Sequence, residues 1–124
     1  MVIDDQPGVR RLICEALKQA GFYVTVAREG KEALARITNE EPDLVILDLK
    51  MPGMSGEEFL RELQQRALSI PVIIVTAYSE LHPQEQADRY GASYCLHKPF
   101  DIQQLYRMVK KLLPLEYGQL QVMA

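Results

Sequence analysis

Acids, a hydroxyl and an amine recur in this chain directly after short apolar runs. Asp4-Asp5 closes the first run, and Asp48 closes Leu44-Val45-Ile46-Leu47. Thr76 follows Val72 to Val75, and Lys98 closes the run that contains Tyr94-Cys95-Leu96. If these runs are parallel strands of one sheet, all of these residues open onto the edge where open α/β sheets bind ligands. Carboxylates gathered there repel one another, and a bound cation relieves the repulsion. Oxygen-only ligation suits Mg²⁺, or Mn²⁺ in its place, which keeps several waters and shares a phosphate oxygen. Asp48 is anchored by apolar residues and can attack a phosphoryl group in line, becoming an aspartyl phosphate. Lys98 then offsets the charge on the transferred oxygens, and the Thr76 hydroxyl donates a hydrogen bond to one of them. A competing assignment makes Asp4 or Asp5 the cap of the helix that follows, but it leaves Asp48 without explanation.

The elements that must carry these groups are legible from periodicity. Val2-Ile3 reads as the end of a strand, short for a central position, as though residues preceded Met1. Val9, Leu12, Ile13, Ala16, Leu17 and Ala20 recur at helical spacing up to Gly21. Leu12 is expected in the core, while Val9 is open between the core and a partner-facing spot. Residues 22–27 read as a second strand and 31–39 as a helix burying Ala33, Leu34 and Ile37. Leu44 to Leu47 is a fully apolar strand, as a parallel sheet covered on both faces requires. A helix over 57–66 buries Phe59, Leu60 and Leu63, and a strand follows over 70–75. A polar helix over 84–90 buries little beyond Ala87 and Tyr90. A strand over 93–97 leads to a last helix, capped by Asp101 and running through Leu113, that buries Ile102, Leu105, Val109 and Leu112.

Five alternations of strand and helix specify an α/β class with a parallel sheet. The expected architecture is a flavodoxin-like three-layer sandwich, with strand order 2-1-3-4-5 and five helices. That order sets the first and third strands side by side and so gathers Asp4, Asp5 and Asp48. The 124 residues suit one domain, here 1–113, with 114–124 a solvated tail or the start of a linker. A net charge of −3 does not favour nucleic acid, and no apolar stretch approaches the ~20 residues of a membrane helix. Cys14 and Cys95 show no metal spacing and read as buried, reduced thiols of a cytoplasmic protein.

In these positions the chain resembles the receiver domain of bacterial response regulators, from Ile3-Asp4-Asp5 to about Leu113. The segments that carry the likeness are Pro42 to Asp48, Met51-Pro52-Gly53-Met54-Ser55-Gly56, Thr76-Ala77, Gly91-Ala92 and Lys98-Pro99-Phe100. The resemblance implies that Asp48 is the phosphoacceptor. It implies that Asp5 ligates Mg²⁺ directly, with Asp4 in support or acting through water, and that the backbone carbonyl of Lys50 is a further ligand. It also implies a phosphohistidine donor on a sensor histidine kinase or a histidine phosphotransfer protein. Such a protein catalyses its own phosphorylation and dephosphorylation rather than turning over a substrate. Asp4-Asp5-Gln6, Thr76 to Leu81, Phe100-Asp101-Ile102 and Lys110 to Leu115 are similar to the single-domain phosphotransferases of sporulation phosphorelays. The expectation is a stand-alone relay receiver, monomeric or weakly dimeric. The alternative is the receiver of a multidomain transcription factor.

Many receivers have an aromatic residue three positions before the lysine. Cys95 stands there, packed under the last helix or at the sheet edge, and alternation sends Tyr94 to the opposite face. The departure leans towards a relay, whose output is the phosphoryl group itself. Lys50 and Tyr78 lie two positions after Asp48 and Thr76, where a long amine and a phenol would exclude attacking water. A helical hairpin bearing the donor histidine is expected to dock on the rim, touching Gln6 and Val9 at the first helix and Pro99-Phe100. A flavin carrier would need a glycine- and hydroxyl-rich loop in place of Asp4-Asp5-Gln6-Pro7. A phosphatase with an aspartate nucleophile would need a second acid at Lys50.

Overall fold

A computed structural model describes residues 1–77 and 79–113. Tyr78 and the segment 114–124 lie outside the described residues. The elements run β1 (Val2–Ile3), α1 (Pro7–Gln19), β2 (Val26–Ala27), α2 (Gly30–Glu40), β3 (Val45–Leu47), α3 (Gly56–Gln65), β4 (Val72–Ala77), α4 (Pro83–Tyr90), β5 (Tyr94–Lys98) and α5 (Ile102–Leu112). All four strand pairings are parallel, and the sheet order is β2-β1-β3-β4-β5. The flavodoxin-like topology is therefore the observed one.

Two apolar cores clasp the sheet. On one face Ile3, Val45, Leu47, Val72, Ile74 and Cys95 pack with Ala33, Leu34 and Ile37 of α2, Phe59, Leu60 and Leu63 of α3, and Ala87 of α4. On the other face Val2, Ile46, Ile73, Val75 and Leu96 pack with Ile13 and Leu17 of α1 and Leu105 and Val109 of α5. Alternation along each strand divides the side chains between these layers. Fully burying one such side chain is worth about 1.5–3 kcal/mol, so the central strands are held from both sides. Their rigidity fixes whatever stands at their ends.

Several sequence expectations need correction. Residues 22–27 do not form a long strand: only Val26–Ala27 is laddered, although Phe22 and Val24 are buried. β1 pairs with β2 only through Val2 and Ile3, so the ladder ends where that partner ends. Leu12 is 52% exposed. Successive helical residues are ~100° apart, and the inward stripe is Val9, Ile13 and Leu17, which rotates Leu12 outward. Val9 packs partly against the core, and Cys14 is only partly buried. Ile102 and Leu112 are likewise half-buried at the ends of α5. Cys95 lies at the edge strand β5, but on the face that carries α3 and α4 rather than under α5. Tyr94 faces the opposite core, as alternation requires.

The helix starts nearest the sheet edge are tightly built. Ser55 accepts a hydrogen bond from the Glu58 N–H, and Glu58 reaches back to the Ser55 N–H, closing a capping box on α3. Asp101 caps α5 by accepting from the Gln103 N–H at 2.9 Å. Gly56 begins α3 where its N–H donates to the Leu49 carbonyl at 2.9 Å. A β-carbon at Gly56 would lie 2.5 Å from Leu49 Cα and 2.9 Å from the Asp48 carbonyl oxygen. Both are backbone atoms and cannot rotate away. Gly56→Ala therefore pushes α3 off the end of β3, and urea unfolding should show a loss of about 1–3 kcal/mol.

Candidate functional site

The ends of β1, β3, β4 and β5 converge on one pocket. Asp4 and Asp48 end β1 and β3, which are neighbours in the sheet, and both are buried, at 2% and 4% exposure. Asp5 is exposed beside them. One carboxylate oxygen from each of Asp4, Asp5 and Asp48 lies within 4.8 Å of the other two. Among the described residues this is the one such cluster of candidate metal ligands.

Lys98 reaches in from β5. Its Nζ donates to Asp4 Oδ2 and Asp48 Oδ2, each at 2.9 Å, and to Gln6 Oε1 at 2.7 Å. The Asp48 Oδ1 atom accepts from the Thr76 hydroxyl and from the Lys50 N–H, each at 3.0 Å. Each of the two carboxylate oxygens of Asp48 is thus held by a directional donor. Asp4 Oδ1 accepts from the Gln6 N–H at 2.9 Å, and Arg10 Nη1 donates to the Asp4 carbonyl at 2.7 Å. The cap position of α1 is Gln6, whose side chain makes no capping hydrogen bond. Asp4 and Asp5 are therefore not the helix caps of the competing assignment.

The electrostatics follow from burial and pairing. Desolvation raises the Asp4 carboxyl above its ordinary value, against the opposing pull of the Gln6 N–H and Lys98, while the Asp48 charge raises it further. For Lys98, burial disfavours the ammonium, but hydrogen bonds and charge from Asp48 and Asp4 outweigh it and raise the pKa. Three carboxylates and one ammonium leave a formal charge of −2 in the pocket. The donors are all oxygens, the chemistry that suits a hard divalent cation.

The pocket thus brings together Asp4, Asp5, Asp48, Thr76, Lys98, Gln6 and the Lys50 backbone. The Lys50 side chain is exposed at the rim. Pro99 is exposed, and Phe100 packs partly against the α1–α5 core. On α1 Leu12 is exposed and Val9 is half-buried.

One buried polar side chain was not foreseen. Gln86 of α4 is 6% exposed, and its Oε1 accepts from the Cys95 thiol at 3.4 Å and lies 2.8 Å from His97 Nε2. Burial pushes the Cys95 thiol up to about 11, so it stays a protonated donor. Nothing in a polar helix signals which amide turns inward.

Comparisons with known proteins agree with this geometry. The family model for the response regulator receiver domain matches residues 1–110. The chain is 42% identical over 116 residues to sporulation initiation phosphotransferase F of Bacillus subtilis, covering 94% of each. It is 38% identical to the transcriptional regulator NtrC of Salmonella typhimurium, spanning 90% of this chain but 24% of that protein. Among solved structures, the Francisella response regulator 1452 receiver domain superposes with a TM-score of 0.83 at 32% identity, covering 90% of this chain and 92% of that one. The response regulator TrrA of Thermotoga maritima, solved in complex with Mg²⁺ and BeF, gives 0.79 at 37% identity, covering 90% and 96%.

Lys98 occupies the acids in the way an added cation would. Lys98→Met removes that internal counter-charge, and calorimetric titration with Mg²⁺ should show affinity raised on the order of tenfold. An affinity equal to wild type would mean that the ammonium and the ion do not compete.

Proposed function

The chain belongs to the response regulator receiver domain family, and from that premise we propose that it relays a phosphoryl group between partner histidines through Asp48. One observation carries the proposal: the buried Asp48 carboxylate meets a hydroxyl, a backbone N–H and an ammonium, with two more acids beside it. In the proposed step an Asp48 carboxylate oxygen attacks phosphorus of a phosphohistidine. The P–O bond forms as the P–N bond breaks, and its electron pair returns to the imidazole nitrogen, which takes up a proton and leaves. The return reaction to a second histidine reverses these events. Lys98 follows the developing charge on the transferred oxygens, and the Thr76 hydroxyl turns from Asp48 Oδ1 to one of them.

Asp5 and Asp48, with Asp4 in support and the Lys50 carbonyl, would hold Mg²⁺ or Mn²⁺. When bound, the ion neutralises charge shared between the acids and the phosphoryl oxygens. The similarity to a sporulation phosphotransferase, with nearly the whole of both chains covered, supports the relay assignment and a cytoplasmic setting. Among the described residues no helix is long and apolar enough to cross a membrane. The donor is a sensor histidine kinase or a histidine phosphotransfer protein, met by this chain as a monomer or weak dimer.

The partner is proposed to dock over the rim at Gln6, Val9, Pro99 and Phe100, with Leu12 as the exposed apolar contact of α1. Lys50 is exposed, with its backbone N–H on Asp48, and with Tyr78 it is proposed to restrict water, so that the acyl phosphate lasts long enough to be passed on.

Incubation with a small phosphodonor and Mg²⁺, followed by intact mass, should add one phosphoryl group to the wild type and none to Asp48→Asn. Addition to both proteins would remove Asp48 from the role. In the phosphorylated protein, Lys50→Ala combined with Tyr78→Ala should shorten the lifetime several-fold, about 1 kcal/mol of barrier. An unchanged lifetime rejects the water-exclusion role.

A further inference from the structure

Lys98 has three N–H donors and three acceptors, but the acceptors are not equivalent. Two are the Asp4 and Asp48 carboxylates, which the proposed function commits to a cation and a phosphoryl group. The third, Gln6 Oε1, is neutral and has no part in that chemistry, yet it makes the shortest contact, 2.7 Å. Gln6 also joins the two charged partners through its backbone. Its N–H holds Asp4 Oδ1 at 2.9 Å, while its side chain holds the ammonium that bridges Asp4 to Asp48. A glutamine at a helix start usually serves the helix or the solvent, and here the side chain makes no capping hydrogen bond. Its oxygen is instead turned to the lysine, which comes from the far side of the sheet edge and lies 92 residues away in sequence.

We propose that Gln6 is a positioning residue for Lys98: its amide oxygen keeps the ammonium over the pocket when Asp4 and Asp48 turn to the cation and the phosphoryl group. The inference rests on phosphoryl acceptance at Asp48. Without Gln6 an ammonium released by the acids would swing into water, because the lysine stem is long and flexible. With it, Nζ keeps one neutral partner and two donors free for phosphoryl oxygens. A neutral acceptor suits this task, since it neither binds the cation strongly nor neutralises the ammonium.

The test compares wild type, Gln6→Met and Gln6→Glu, loaded with Mg²⁺ and beryllofluoride as the stand-in for the phosphoryl group. The readout is the ¹⁵N-resolved ammonium signal of Lys98, assigned by its loss in Lys98→Met; such signals are seen only when hydrogen bonds slow exchange with water. The signal should persist in the wild type, vanish in Gln6→Met, and return in Gln6→Glu, which restores an oxygen at the same reach. Gln6 is exposed, so both variants should fold, with unchanged melting as the control. Phosphorylation of Gln6→Met by a small phosphodonor, which needs no protein partner, should slow about tenfold. A surviving signal in Gln6→Met, or an unaltered rate, overturns the assignment. Failure of the acceptor reading itself would appear separately, as absence of phosphate gain in the wild type.

Discussion

Two carboxylates lie side by side almost out of reach of water, and one ammonium reaches both. Leaving a charge buried and unpaired costs several kcal/mol, and the pairing of Lys98 with Asp4 and Asp48 offsets that cost as a bound cation would. The three residues end three different strands, at positions 4, 48 and 98. None can be placed unless the first, third and fifth strands have all joined the sheet. The pocket is therefore a product of complete tertiary assembly, and its local charge balance depends on a pairing of residues 94 apart in sequence. The remaining formal charge of −2 equals that which a divalent cation would cancel.

The supports around this pairing differ from one side to the other. α1 and α5 bury leucine, isoleucine and valine against the sheet, while α3 is locked by its capping box and by the close approach at Gly56. α4 is held differently. It buries Ala87, leans Tyr90 on Glu57 through a 2.6 Å hydrogen bond, and inserts Gln86 between Cys95 and His97. Hydrogen bonds of this kind contribute about 0.5–1.5 kcal/mol net, because water can replace them. The helix following Thr76 is thus fastened more by exchangeable polar contacts than by an apolar stripe.

Asp4, Asp48, Thr76 and Lys98 are legible in the sequence, because each stands where an apolar run stops and parallel strands all stop on one side. The strand order placed Asp5 with them. Periodicity was less informative wherever one residue decided the matter. Leu12 matches a helical pattern, yet it lies one residue off the Val9-Ile13-Leu17 stripe, and a 100° step carries it to the surface. Residues 22–27 have the composition of a strand, but ladder length depends on how many residues the neighbour offers, and β1 offers two. The hydrogen-bond partners of Gln6 and Gln86 were the least visible. An amide can face water, a cap or a buried donor with nearly the same local sequence, and only the partners brought near by folding select among these.

Those two amides share a logic that the charged residues do not. A carboxylate or an ammonium in the pocket must change partners whenever charge arrives or leaves. An amide has little to gain from such an exchange, so it can hold a neighbour in place while the charges around it rearrange. Gln6 does this for the ammonium at the sheet edge, and Gln86 ties α4 to β5 without adding charge. Replacing Gln6 by an acid would add to the negative charge beside Asp4, and replacing it by a lysine would compete with Lys98. Neutral hydrogen bonding at both places leaves the charge balance of the pocket to the acids, the single ammonium and whatever they bind.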